Sequence, residues 1–194
     1  DASPGMIAST ARQVALIADQ LSASKEQREA LLKSIRPTPL IHFCGHMFKA
    51  GWDGEEGVAR LSRSILDKPD DLIAYGPLPC GADIVIAEAI LERGGELHVV
   101  LPFAEEDFLR TSVCVGGEEW LPRYEQARAA ASEVIFATQM RCISDDQQFA
   151  YCSKLVMGLT QLRANVMQAD IFQLAVWDGV RSSGIAGTAA DVAL

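Results

Sequence analysis

The chain has 194 residues, 49% of them hydrophobic, and its 26 acidic and 17 basic residues give a formal net charge of -9. This hydrophobic content argues against a disordered chain, and the negative charge argues against a nucleic-acid partner. No apolar run approaches the roughly 20 residues that cross a bilayer, so we expect no membrane partner. The composition therefore favours one globular domain with a substantial core.

The first residue and the cysteines bear on whether the chain is part of a longer protein and on its redox compartment. The sequence begins with Asp1 rather than Met, and its N-terminus lacks the basic stretch and apolar core of a signal peptide. Its five cysteines are odd in number and widely spaced, and most lie in apolar segments. We therefore expect an excised piece of a longer cytoplasmic protein, with its thiols reduced.

Residues 1–37 predict a helical arm in front of the main domain, which we place at 38–194. The apolar residues at helical spacing in the arm are Val14, Ile17 and Leu21. Residues 24–27 (Ser-Lys-Glu-Gln) have the pattern of a capping box that begins a second helix, and Pro37 and Pro39 end it. The arm either joins the domain to an upstream module or simply packs on it.

The main domain alternates between continuous apolar runs and helical patterns. The apolar runs, which we predict to be strands, cover 40–44, 72–75, 97–101, 134–137 and 172–177. The predicted helices cover 53–68, 82–93, 118–132 and 147–168, and a further one begins after Thr188. Continuous apolar strands are typical of a parallel sheet that helices cover on both faces. We therefore predict a doubly wound, Rossmann-like α/β fold with a mostly parallel sheet of at least five strands.

Three of these helices carry residues at helical spacing that share one face, and in the helix over 118–132 these are Trp120, Tyr124 and Ala127. In the helix over 53–68 these residues are Val58, Leu61 and Ile65. In the helix over 147–168 they are Leu155, Leu159, Leu162 and Val166.

Residues that follow the predicted strands are the candidates for ligand binding, because ligands of such sheets lie outside the carboxyl ends of the strands. The candidates are Gly45, His46, Gly81, Ala82, Asp83, Arg110, Asp178, Gly184, Gly187 and Thr188. Glycine lets the backbone approach a ligand, and the free N–H groups at a helix start bind anions. Arg110 is suited to a bidentate phosphate contact. Together these residues predict a phosphate-bearing ligand, although tight turns alone also explain single glycines.

Several candidates also have a purely structural interpretation. His46 either contacts a ligand or packs in its turn, and Asp83 either faces a ligand or favours the dipole of its helix. Arg110 is equally suited to a surface salt bridge. Glu88 lies on an apolar helix face and needs a partner, so it is either paired structurally or turned into the site.

Metal binding is a weaker hypothesis. His42, Cys44 and His46 alternate, so a strand would point all three side chains to one face. A zinc site would need a further ligand, and no Cys-x-x-Cys or helical His-x-x-x-His motif supplies one. We therefore expect no metal and no cofactor.

Several motifs resemble a bacterial module that is found beside tetratricopeptide repeats and class III adenylate or guanylate cyclase domains. The motifs are Cys80–Ile84, Leu97–Phe103, Phe108–Val113, Gly45–Met47 and Leu174–Gly179. The module resembles the wider SLOG superfamily of DprA-like proteins, LOG (lysine decarboxylase-like) phosphoribohydrolases and sensors of nucleotide-derived signals. The resemblance covers about residues 39–191. It implies a Rossmann-like fold, a nucleotide-derived ligand, effector or repeat domains in the same longer chain, and compatibility with a homodimer.

The LOG enzymes carry a Pro-Gly-Gly-x-Gly-Thr-x-x-Glu motif, which aligns with residues 183–191. The matching residues are Gly184, Gly187 and Thr188. Ser183 replaces the proline, Ile185 replaces a glycine, and Asp191 replaces the catalytic glutamate. A catalytic carboxylate displaced by about 1 Å can lose on the order of a hundredfold in rate, so the shorter Asp191 weakens the expectation of hydrolysis.

Three functions remain open at this point. The resemblance favours a non-catalytic sensor domain that binds a nucleotide-derived ligand and biases an attached effector such as a cyclase. The second is a LOG-type phosphoribohydrolase, for which Asp191 and Glu88 would be the catalytic residues. The third is a scaffold with a vacant pocket.

Overall fold

The computed structural model describes residues 4–32, 35, 37–48, 53–67, 72–143, 146–181 and 184–194. Its strands are β1 (Leu40–Gly45), β2 (Ile73–Gly76), β3 (Glu96–Leu101), β4 (Glu133–Phe136) and β5 (Ile171–Val176). They form one sheet in the order β4-β3-β2-β1-β5, and every neighbouring pair is parallel. All five predicted strands are confirmed to within one residue at each end.

The helices alternate with these strands, as the sequence predicts. They are α1 (Pro4–Gln20), α2 (Lys25–Leu32), α3 (Glu55–Ile65), α4 (Ala82–Glu92), α5 (Glu105–Phe108), α6 (Trp120–Ala130), α7 (Asp146–Met167) and α8 (Thr188–Ala193). A π-helical turn over Leu109–Val113 continues α5. None of the helices among the described residues is both long enough and apolar enough to span a membrane.

The sheet has a hydrophobic core on each of its faces. On one face, Ile41 and Val99 belong to a buried cluster that includes residues of α4 and α6. On the other face, Leu40 and Val100 pack with residues of α7, among them Val156. Because successive strand residues point to opposite faces, both sides of each central strand are covered. The prediction of a doubly wound, Rossmann-like α/β fold is confirmed.

The helical arm begins with α1, which packs against α7. The predicted capping box at the start of α2 is present. The Ser24 amide donates to Oε1 of Gln27 over 2.9 Å, and the Gln27 amide donates to Oγ of Ser24 over 3.3 Å. Ile17 and Leu21, which have helical spacing, are both exposed, whereas the small Ala18 is buried.

The apolar faces predicted for α3 and α7 are buried only in part, because Val58, Leu155 and Leu159 pack against the cores whereas the other predicted residues are exposed. In α7 the side chains of Leu162 and Val166 are 64% and 67% exposed. The buried residues of α7 are Ala150, Cys152, Val156, Thr160, Ala164 and Met167. In α3, Leu61 and Ile65 are exposed and Ser62 is buried. Small residues on the buried faces let each helix lie close to its neighbours, so burial follows packing geometry and overrides hydrophobicity.

Candidate functional site

A cavity of about 380 Å³ opens at the carboxyl end of β1. Strands are added in chain order from β1 towards β4, and β5 then joins on the other side of β1, so the strand order reverses there. Ligands of open α/β sheets bind at such a reversal. The lining residues that carry polar side chains are His42, Cys44, His46, Asp83, Ser112, Cys152, Ser153, Thr188 and Asp191.

The strand β1 supplies one wall of the cavity. His42, Cys44 and His46 all line it, which confirms that the alternating residues share one face. Burial lowers the pKa of His42 to about 4, so its imidazole is neutral at neutral pH. The pKa of the Cys44 thiol is raised, mainly by burial and further by Asp83. Within the described part of the chain, no three His, Cys, Asp or Glu residues are grouped so as to hold a metal ion.

The start of α4 is docked onto the end of β1. The Ala82 amide donates to the carbonyl oxygen of His46 over 3.0 Å. The Gly45 amide donates to Oδ2 of Asp83 over 3.2 Å. A Cβ atom on Gly45 would overlap the methyl group of Ala82, so glycine is needed there for the close approach of the helix.

Two aspartates from different helices meet in the cavity. Asp83 of α4 is 1% exposed and Asp191 of α8 is 8% exposed. Oδ1 of each side chain has no hydrogen-bond partner among the described residues. Burial raises the pKa of Asp83 well above its ordinary value, and the nearby Asp191 raises it further. Burial also raises the pKa of Asp191, against the opposing effect of a hydrogen bond from Ser153.

The segment before α8 closes the cavity beside Asp191. Gly187 has a φ of +88° and lines the cavity, as does Thr188, which is buried. The carbonyl oxygen of Gly187 accepts the amide of Asp191 over 3.0 Å. The positive φ explains the glycine at this position, since other residues rarely adopt it. Ser183, at the start of the LOG-like motif, lies outside the described residues.

Five predicted ligand-binding residues, together with Asp191, line the cavity. These five are Gly45, His46, Asp83, Gly187 and Thr188. Gly81 and Ala82 do not line it. A Cβ atom on Gly81, whose φ is +107°, would lie 2.7 Å from the carbonyl oxygen of His46. These two residues therefore serve the close packing of α4 on the segment after β1.

Four further candidates lie outside the cavity lining. Oδ1 of Asp178 lies 3.3 Å from Nε2 of His46. Gly184 is exposed. Arg110 is 71% exposed and forms a salt bridge with Asp107 over 2.7 Å, which is the structural alternative considered for it.

Glu88 is the fourth candidate outside the lining, and it is paired. Its two carboxylate oxygens accept hydrogen bonds from Nε and Nη2 of Arg123, both over 2.7 Å. The structure therefore corrects the hypothesis that Glu88 points into the site. The guanidinium of Arg123 supplies the partner that a carboxylate on an apolar helix face requires.

The α7 wall of the cavity is absent from the sequence-based set of candidates. Cys152, Ser153 and Val156 line the cavity from this helix, and Phe149 lies one turn earlier. Burial raises the pKa of the Cys152 thiol to about 12. The candidates predicted to bind the ligand come mainly from residues that follow strands, whereas these residues lie within α7, between β4 and β5. The sequence feature that could have identified these lining residues is the pair of polar residues at 152 and 153 next to a buried helix face.

No family model matches this sequence, and a comparison with the curated proteins likewise finds no match. A function for the cavity must therefore be argued from its geometry and chemistry.

Proposed function

We propose that this chain is a ligand-binding domain that takes a nucleotide-derived small molecule into the cavity at the carboxyl end of β1. The observation that carries the proposal is the meeting of Asp83, Gly187 and Thr188, from separate elements, around one cavity at the reversal of strand order. Its volume of about 380 Å³ lies within the range of small-molecule sites. Carboxyl groups with raised pKa in a cleft are a further mark of a functional site.

The nucleotide class of the ligand follows from the resemblance to the SLOG superfamily, and we propose it on that basis. The same resemblance supports a cytoplasmic sensor whose ligand biases an effector in a longer chain. One feature of the fold supports this role, because coupling between distant sites is carried by packed elements that contact both of them. Here α7 both lines the cavity and packs against α1 of the arm.

A binding role is favoured over catalysis by the surroundings of the acidic residues. Glu88 is bound by Arg123, so Asp191 is left without the second catalytic residue that the sequence pattern suggested. The thiol of Cys44 has a raised pKa, which disfavours it as a nucleophile.

One observation keeps the hydrolase as a second candidate. Asp83 and Asp191 are two carboxyl groups in one cavity, and burial raises the pKa of each. A pair of carboxyl groups is the usual equipment of glycosidic hydrolysis. This candidate would use Asp83 in place of Glu88.

A thermal-shift screen tests the proposed function, with nucleoside monophosphates, cyclic dinucleotides and ADP-ribose derivatives as the ligands. We expect at least one of them to raise the melting temperature, and calorimetry then measures its affinity. Ser153→Phe should abolish that binding because the new ring fills the cavity from α7. Gln161→Phe, on the exposed side of the same helix, is the matched control and should bind normally.

Two results would overturn the proposal. One is a complete screen without any ligand, and the other is a ligand whose affinity is unchanged in Ser153→Phe. The second candidate has its own test, in which chromatography follows the release of free base from nucleoside monophosphates. Release that both Asp191→Asn and Asp83→Asn abolish would replace the sensor with the hydrolase.

A further inference from the structure

We propose that the carboxyl groups of Asp83 and Asp191 bind a hydrogen-bond-donating, uncharged or cationic group of the ligand, so that any phosphate lies away from them. This inference rests on the proposed function in that it concerns the same cavity, and it adds which end of the ligand enters. In a nucleotide-derived ligand the donors are the sugar hydroxyls or an amino group of the base. This arrangement differs from the sequence-based prediction of a phosphate at the candidate residues, which include Gly187 and Thr188.

The first observation is that one carboxyl oxygen of Asp83 lacks a hydrogen-bond donor among the described residues. Its Oδ2 atom accepts the Gly45 amide, whereas Oδ1 has no partner among the described residues. The side chain is 1% exposed and lines the cavity. A buried carboxylate oxygen without a donor is costly, so a ligand that donates to it gains affinity that a ligand with only acceptors does not.

The second observation is that Asp191 repeats the arrangement from the opposite helix. Its Oδ1 atom also has no hydrogen-bond partner in the described part of the chain, and it lines the same cavity. Both carboxyl groups line the same cavity, and the negative charge of Asp191 raises the pKa of Asp83. A group with two donors, or one positive charge, would satisfy both carboxyls and remove their repulsion.

The third observation concerns what an anion would find in this cavity. No Lys or Arg is among the described residues that line it. The amide at the start of α4, that of Ala82, already donates to His46. The amide of Asp191 already donates to Gly187, and α8 is only six residues long. A phosphate beside the two aspartates would therefore meet repulsion that no cation among the described lining residues offsets.

A matched pair of small probes tests this inference on the intact chain. Benzamidine and benzoate have nearly the same shape, but benzamidine is a cationic donor and benzoate an anionic acceptor. Either ring fits against the apolar wall formed by Phe108, Phe149 and Val156. We expect calorimetry and thermal shift to detect benzamidine, and to find benzoate at least tenfold weaker. Benzoate binding as tightly as benzamidine, or no binding of benzamidine, would overturn the inference.

Substitution of the aspartates changes ligand affinity in opposite directions, depending on whether a donor group or a phosphate of the ligand faces them. Asp83→Asn keeps the shape and the oxygen that faces Gly45, but removes the charge and adds donors. We expect it to weaken benzamidine at least tenfold, and Asp191→Asn should act in the same direction if the first variant fails to fold. Asp67→Asn removes one charge from a surface carboxylate that pairs with Arg93, and it should leave binding unchanged.

The nucleotide found in the screen completes the test. If its donor end faces the aspartates, Asp83→Asn weakens it. If its phosphate faces them, Asp83→Asn leaves it unchanged or tightens it, and the inference is wrong. A failed nucleotide screen together with benzamidine binding that Asp83→Asn weakens would reject the proposed nucleotide class and retain the donor-binding carboxyls.

Discussion

The amide of Gly45 donates a hydrogen bond to Oδ2 of Asp83 over 3.2 Å, and this contact joins the end of β1 to the first turn of α4. It depends on the absence of a side chain at residue 45, where a Cβ atom would overlap the methyl group of Ala82. The same contact holds one oxygen of Asp83 and leaves the other to the cavity. The site therefore depends on how closely a helix approaches a strand.

Gly45→Ala should destabilise the fold by about 1–3 kcal/mol, since the added methyl group forces α4 away from β1. Urea unfolding followed by circular dichroism measures this free energy. Gly158→Ala is the matched control, because a Cβ atom there meets nothing within 4 Å and residue 158 lies within α7. We expect the control to be stabilised by about 0.5–1 kcal/mol, as usual for Gly to Ala in a helix. Equal stabilities of Gly45→Ala and the parent would contradict the close approach.

The raised pKa of Asp83 predicts how its substitution changes the pH dependence of stability. The native state holds the Asp83 proton more tightly than the unfolded state, in which the pKa is near the ordinary 3.8. The contribution of Asp83 to the stability of the parent is therefore lost as the pH rises from about 4 through the native pKa of Asp83.

Asp83→Asn removes that dependence, so its stability relative to the parent should increase over the same pH interval. Unfolding curves at several pH values from 4 to 8 measure the difference between the two chains. The other acidic groups are shared and cancel in the difference, except Asp191, whose repulsion with ionised Asp83 acts in the same direction. If the stability of Asp83→Asn relative to the parent instead falls with rising pH, the native state stabilises Asp83 as the carboxylate.

Arg123→Ala should lower the free energy of unfolding by about 1–3 kcal/mol without changing ligand affinity. The guanidinium donates to Glu88 and to Glu55, in each case over 2.7 Å. It also lies 4.3 Å from the ring centroid of Trp120, so a cation–π contact is lost with it.

Arg110→Ala is the comparison for that variant, because an exposed ion pair such as the one with Asp107 contributes little to stability. Thermal and urea unfolding measure the stability of both variants. Calorimetry measures their affinity for the ligand from the screen. A loss of ligand affinity in Arg123→Ala would contradict this prediction and would indicate that Glu88 belongs to the ligand site.

The cysteines should react in the order of their exposure. Cys114 is exposed, whereas Cys44, Cys80 and Cys152 are buried and burial raises the pKa of each thiol. At neutral pH, brief treatment of the native chain with iodoacetamide should label Cys114 and spare the buried three.

Peptide mass spectrometry locates the labelled thiols in this experiment. The urea-unfolded chain is the control, and all five cysteines of the sequence should react in it. Rapid labelling of Cys44 in the native chain would mean that reagent enters the cavity and meets a reactive thiolate there.

The sequence by itself determined the elements of this protein and their parallel arrangement. Continuous apolar runs such as 97–101 predict strands that are buried on both faces, and only a parallel sheet between two helical layers buries them so. The exchange of hydrogen bonds between Ser24 and Gln27 was equally predictable, because a capping box is local in the chain. The placement of a ligand site at the carboxyl ends of the strands follows from that topology.

Only the tertiary structure decided which residues share the site. It placed β5 beside β1, brought Asp191 close to Asp83, and paired Glu88 with Arg123. It also left Leu162 of α7 exposed while residues such as Ala164 face the core. The physical reason is that periodicity along a chain reports which side chains share a face of one element. What lies against that face depends on strand order and on how closely helices pack, and both are set by contacts between residues far apart in sequence.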